Sequence, residues 1–149
     1  MLTGRNQEGL KEPAEAIASL SPSTRVLCLS ADLTNEADVE AMFTKAVSQF
    51  GTVDVVLHAA GSMGGGPVGD LPPNAWFSDY EVNVKGSYVL AHYYLKAVAA
   101  GTLIFVGTLG ASFTFAGMSS YSGSKMALLK LAEYLDAGKI QLIWKSYRH

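Results

Sequence analysis

The sequence predicts an α/β fold with a mostly parallel sheet and helices on both faces. Apolar runs without clean alternation, at residues 26–29, 53–57 and 102–106, suit strands buried on both sides. Stretches with helical apolar spacing lie between them, at residues 8–20, 35–50, 74–100 and 119–135. The two kinds of segment alternate along the chain, as crossover units of a parallel sheet require.

Composition sets the outer limits. A chain of 149 residues is long enough for one domain with a sizeable core, so residues 1–149 are expected to form a single domain. Hydrophobic residues make up 49% and charged residues 16%, which argues against extended disorder. A net charge of -2 gives no electrostatic argument for nucleic acid or an anionic membrane. No apolar run approaches the length of a membrane span. Asn6, Glu8, Lys11 and Glu12 interrupt any signal-peptide core. Cys28 is the only cysteine, which rules out an intrachain disulfide and favours a buried structural thiol. Together these features predict a soluble, cytoplasmic protein.

Along the chain, Met1-Leu2-Thr3 reads as the last part of a strand and Gly4-Arg5-Asn6 as a turn. Ala14, Ile17, Ala18 and Leu20 give residues 8–20 a modest helical face, which Ser21-Pro22-Ser23 stops. Residues 24–30 read as a strand. Asp32 follows it, at a junction where an Asx turn or cap is the plain reading. Val39, Phe43, Ala46 and Val47 make residues 35–50 a convincing amphipathic helix, with Gly51 just past its end.

Residues 53–61 predict a buried parallel strand running into a tight turn. Ala60 and Gly61 keep the backbone there open to close approach by a flat ligand. His58 has no neighbouring metal ligands at suitable spacing. Residues 62–73 form a glycine- and proline-rich loop, and Gly64-Gly65-Gly66 within it suits a flexible substrate-side loop better than a phosphate cradle. The long helix over 74–100 contains Asn83, a poor helix former in an apolar setting. That amide marks either a helix distortion with an internal partner or a functional group. Gly86 would let another segment pack closely.

The strand at 102–106 leads through a polar connection to a helix with Ser119 as its expected N-cap and Leu128, Leu131 and Leu135 as its apolar stripe. Tyr121 and Lys125 are four residues apart on one face of its first turns. A free phenol titrates near 10, and an ammonium beside it favours the phenolate. Such a pair can move a proton to or from a carbonyl or alcohol oxygen. Thr108, at the end of the preceding strand, could add a hydroxyl. By itself the spacing fits an amphipathic surface pair at least as well. Past Gly138, Ile140, Leu142 and Trp144 suggest a short edge strand, and the basic tail after it is too short to indicate nucleic acid or membrane.

With these residues in this order, the chain resembles the short-chain dehydrogenase/reductase family. Tyr121 and Lys125 match its Tyr-x-x-x-Lys, Asn83 its relay asparagine, and residues 58–61 its Asn-Asn-Ala-Gly turn with His58 and Ala59 in place of the asparagines. Thr108 stands thirteen positions before Tyr121, where the family has a serine. The resemblance implies a three-layer Rossmann-like fold, here lacking the usual first strand, glycine-rich turn and C-terminal lid. In the family that first strand lies between the second and fourth. It implies hydride transfer between a nicotinamide cofactor and a ketone or secondary alcohol. Thr108, Tyr121, Lys125 and Asn83 would be the catalytic set, and Arg5, Asp32, Ala60, Gly61 and Lys125 would bind the cofactor.

Gly4 followed by Arg5, where an acidic residue would select NAD, resembles a preference for NADP, with NAD possible; a solvated charge is the other reading of Arg5. Met63, Val68, Trp76 and Phe77 suggest an apolar substrate rim, and hence a hydrophobic small molecule of specialised metabolism. The helices over 81–100 and 120–135 correspond to the family's pairing helices, so a homo-oligomer is expected, unless those faces cover only the chain's own sheet. A non-catalytic or degenerate relative is the main alternative function, with a nucleotide-sugar or isomerase-like activity a third.

Overall fold

The structure, a computed structural model, describes residues 1–138 and the backbone of Leu142–Lys145. Strands and helices alternate as the sequence predicts. Strand β1 (Leu2–Gly4) is followed by a 3₁₀ turn at Glu8–Leu10 and by α1 (Lys11–Leu20). Then come β2 (Cys28–Ser30), α2 (Glu36–Phe50) and β3 (Val55–His58). The predicted single helix over 74–100 is three pieces: α3 (Pro73–Tyr80), a π-helical segment (Glu81–Gly86) and α4 (Ser87–Ala97). Strand β4 (Thr102–Val106), a 3₁₀ turn at Leu109–Ala111, α5 (Ser119–Ala137) and β5 (Leu142–Lys145) complete it. None of the described helices is long and apolar enough to cross a membrane.

Local chemistry fixes most boundaries. Asn35 caps α2, its side-chain oxygen accepting from the Ala37 N–H at 3.0 Å, and Gly51 at φ 85° ends the helix. Pro73 sits in the first turn of α3, where its missing N–H costs nothing. Three expectations need correction. Strand β3 is not buried on both sides as expected, because Val55 and Leu57 stand on an edge that no strand covers among the described residues. Ser119 is the first helical residue of α5 rather than its cap, which is Met118, because its hydroxyl accepts from Trp76 Nε1 at 2.8 Å. Strand β2 starts at Cys28 rather than at residue 24, because Leu2 pairs with Cys28 and β1 offers nothing earlier to pair with. The basic tail at 146–149 lies outside the described residues.

All strand pairs are parallel, and they fall into two groups, β1–β2 and β3–β4–β5. The backbone shows which edges are free. Leu2 N–H and Gly4 C=O both bond toward β2, so strand alternation turns the Thr3 N–H and C=O to the opposite side. The Asp54 carbonyl accepts from Thr102 N–H on β4, which likewise turns the backbone groups of Val55 and Leu57 away from β4. Thr3, Val55 and Leu57 all line one cavity of about 1230 Å³. Two half-ladders therefore border the same space without pairing to each other.

The core lies over β4. Leu103 and Phe105, alternate residues of that strand, pack with Val39, Met42 and Phe43 of α2, Leu90 and Tyr94 of α4, and Leu128 of α5. Leu131 and Leu135 flank this cluster as the stripe predicted, partly buried. The π-helical segment ties the strand ends together. A Cβ on Gly86 would stand 3.2 Å from Leu33 beyond β2, and one on Gly61 beyond β3 would stand 3.0 Å from Asn83 Oδ1. The carboxyl ends of β2 and β3 thus meet the same segment, and that is where the candidate site forms.

Candidate active site

Asn83 is fully buried in the π-helical segment, and its amide has no spare protons. Oδ1 accepts from Ser62 N–H at 2.8 Å, while Nδ2 donates to the Ser62 carbonyl and to Ser124 Oγ, both at 2.9 Å. Ser124 Oγ donates on to the Tyr121 carbonyl at 2.7 Å. One side chain thus joins the turn after β3, the wide helical turn and the start of α5. The first alternative for this residue, a helix distortion with an internal partner, is the arrangement found.

Lys125 is 6% exposed. Its Nζ lies 3.4 Å from the Val106 carbonyl at the end of β4 and 5.9 Å from the centre of the Tyr121 ring. Burial pushes its pKa below the ordinary lysine value. The ammonium also faces Gly61, where an added Cβ would come within 3.3 Å of Nζ. Glycine at this position lets the strand end, Asn83 and Lys125 converge.

Thr108 caps the 3₁₀ turn, its Oγ1 accepting from Gly110 N–H at 3.2 Å. Its own hydroxyl proton has no protein acceptor among the described residues, so it is available to donate. Beside it, 3.6 Å from a Cβ on Gly110, lies Ser122 Oγ, the one buried side-chain polar atom without a partner among the described residues.

Of the residues expected to touch a cofactor, Arg5, Asp32, Ala60 and Gly61 line the 1230 Å³ cavity and Lys125 does not. Asp32 forms the Asx turn, Oδ1 accepting from the Thr34 N–H and hydroxyl at 2.8 Å each. The Thr34 N–H, then its hydroxyl, then the charges of Arg5 and Lys85 lower its pKa. The Arg5 carbonyl accepts from Ser30 Oγ at 3.0 Å, and its guanidinium forms no ion pair among the described residues. Of the expected apolar rim, Phe77 lines this cavity and stands edge-on to Trp76 at 4.9 Å. Met63 and Val68 are exposed on the loop.

Sequence reasoning missed the supports. Asp79, almost fully buried, accepts from Ser62 Oγ at 2.8 Å and from Gly64 N–H at 3.0 Å, so the glycine loop is pinned at its start. Gly66 N–H donates to the Gly117 carbonyl at 2.7 Å and joins that loop to the segment before α5. The hint was compositional: Ser119-Ser120-Tyr121-Ser122-Gly123-Ser124 is a poor helix former at a helix start. Small residues are needed there. Ser120 Oγ donates to the Trp76 carbonyl, and a Cβ on Gly123 would run into the Tyr80 hydroxyl.

Comparison with known proteins identifies the family and the fold. Residues 1–138 match the family model for short chain dehydrogenase. The short chain dehydrogenase mpl6 of Monascus purpureus is 29% identical over 117 residues, which are 76% of this chain and 40% of that protein. A metagenomic short-chain oxidoreductase solved in complex with NADP superposes with a TM-score of 0.82 at 25% identity, over 99% of this chain and 70% of that one. A Burkholderia phymatum short-chain dehydrogenase/reductase solved with NAD gives 0.86 at 20% identity, over 97% and 54%. The chain thus spans less than two thirds of the length of mpl6 and of the Burkholderia phymatum enzyme. With a family match over residues 1–138, the chain belongs to the short-chain dehydrogenase family.

Proposed function

We propose that this chain is a nicotinamide-dependent oxidoreductase, NADP favoured, that interconverts a ketone and a secondary alcohol of a hydrophobic small molecule. The observation that carries this reading is the convergence of Asn83, Lys125 and Gly61 beside Tyr121 at the ends of β3 and β4.

The residues present fit the two ends of such a cofactor. Arg5 offers a guanidinium that forms no ion pair among the described residues, suited to a ribose phosphate, and Asp32 stands in the same cavity. Ala60 and Gly61 leave the strand end open to a flat ring, with Lys125 in reach of a ribose. When bound, the nicotinamide supplies or accepts hydride at the substrate carbon. The protein handles the oxygen. Tyr121 gives it a proton in reduction and takes one in oxidation, with the Lys125 ammonium steadying the charge. Thr108 donates its free hydroxyl proton to that oxygen as negative charge grows. Asn83 serves the proton relay by holding Ser62 and Ser124 in place, both of its amide protons being already donated.

Phe77 and the Trp76 beside it support an apolar substrate. Exposed Tyr88 and Leu95 on α4 and Tyr134 on α5 support pairing of two copies through these helices. Calorimetric titration with NADPH and NADH tests the central reading. Binding, tighter for NADPH, is the expected result, and no binding at millimolar cofactor rejects it. A non-catalytic relative is the second reading, favoured by the two unpaired half-ladders that border the cofactor cavity.

A further inference from the structure

We propose that His58 is a positioning residue, which holds the wide helical turn carrying Asn83 through the hydroxyl of Ser87. Its consequence for catalysis rests on the oxidoreductase reading, while its geometric content stands apart from it. His58 is the last residue of β3 and 4% exposed, its ring edge-on to Phe105 at 5.5 Å. Its Nε2 lies 2.7 Å from Ser87 Oγ.

The direction of that bond follows from a count of protons. A serine hydroxyl has one proton to give. Ser87 gives it to the Asn83 carbonyl, at 2.6 Å. Ser87 Oγ must therefore accept from the ring, which fixes the proton of His58 on Nε2 and leaves Nδ1 as the lone-pair nitrogen. The main-chain N–H of Ser87 bonds to the Val84 carbonyl, so the hydroxyl is the group by which Ser87 reaches Asn83.

From there the chain continues on the side-chain side of Asn83, through Ser124 to the Tyr121 carbonyl. His58, Ser87, Asn83 and Ser124 are all at most 4% exposed, so no water readily replaces a lost member. Buried networks of this kind support one another when complete and leave a costly unpaired group when broken. A π-helical segment is a local departure from the α-helix and tends to occur at functional sites. The His58–Ser87 pair is the device that holds it from the strand side.

The test compares His58→Phe, which keeps a ring and loses the donor, with His58→Gln, whose amide N–H reaches a similar place. Nitrogen NMR of the wild-type ring should show the Nε2–H tautomer. Hydrogen exchange of the Asn83 side-chain amide should quicken by roughly tenfold or more in His58→Phe and stay within about threefold of wild type in His58→Gln. Val39→Ala, a fully buried site on α2, serves as the control at matched global stability. An Nδ1–H tautomer, equal exchange in the two His58 variants, or equal quickening in the control overturns the proposal. In an active chain, kcat should fall in His58→Phe with substrate KM little changed, and His58→Gln should restore it. A chain without turnover rejects the oxidoreductase reading alone, and the exchange result then decides for or against His58.

Discussion

Lys125 holds its ammonium 5.9 Å from the centre of the Tyr121 ring while almost wholly withdrawn from solvent. A cation so withdrawn from water is easier to deprotonate. Tyr121→Phe keeps the ring and removes the acid, so turnover should fall by roughly 10²-fold or more with cofactor affinity much less changed. Lys125→Met should lower both. Because burial depresses the Lys125 pKa, cofactor affinity should decline at a pH below the ordinary lysine range. Steady-state kinetics and titration calorimetry across pH check all three. Wild-type turnover in Tyr121→Phe would remove Tyr121 as proton donor.

His58 makes stability depend on acidity. Burial first, and the Lys125 charge second, lower its pKa from 6.5 to about 4. Above 6.5 the ring is neutral in both folded and unfolded chains, and the full stability is present. As pH falls toward 4 the unfolded chain takes up the proton and the folded one does not, so stability is lost, up to roughly 3 kcal/mol. Urea unfolding of wild type and His58→Gln at pH 7, 5 and 4 should show the wild type losing more. Parallel losses in the two would refute the assignment.

Ser122 gives a prediction of the opposite sign. Its buried hydroxyl has no partner among the described residues, so Ser122→Ala removes a desolvated group without removing a bond. Stability should rise by about 1 kcal/mol, read as a higher denaturation midpoint with an unchanged denaturant slope. A fall of similar size would show that the hydroxyl is paired in solution.

Asp79 is the anchor of the glycine loop. Asp79→Ala leaves Ser62 Oγ and Gly64 N–H without their acceptor and should cost about 2 kcal/mol or more. Limited proteolysis should then cut first within residues 62–72. Cleavage elsewhere, with that loop intact, would speak against the anchor.

Two copies should associate through α4 and α5. Sedimentation over a range of concentrations checks this, with a dimer expected and a monomer throughout counting against pairing.

Much of this was legible because burial leaves a pattern. Strand β4 and the leucine stripe of α5 stand where the apolar spacing put them, and Asn35 and Gly51 bracket α2 by their cap chemistry. The three-part helix over residues 73–97 was not legible in detail, since α and π turns differ too little in period to separate in one sequence. Asn83 alone betrayed it. The extent of β2 depended on what β1 could pair with, which no residue of β2 records. Ser119 was misassigned because its partner, the Trp76 indole, is 43 positions away. The catalytic candidates came from the family resemblance, because their spacing alone fits a surface pair at least as well. Asp79, His58 and Ser87 were not legible, since a supporting residue is defined by what it touches.

The unpaired backbone of Thr3 on β1 and of Val55 and Leu57 on β3 has a bearing on how the protein behaves in a concentrated solution. Val55 and Leu57 are 59% and 63% exposed, and their peptide groups turn away from β4 toward the cavity. A net charge of -2 supplies little mutual repulsion between molecules. Free strand edges of this kind favour association between molecules. Added salt should do little to keep it dispersed, whereas a lysine at position 55 or 57 should raise its solubility limit.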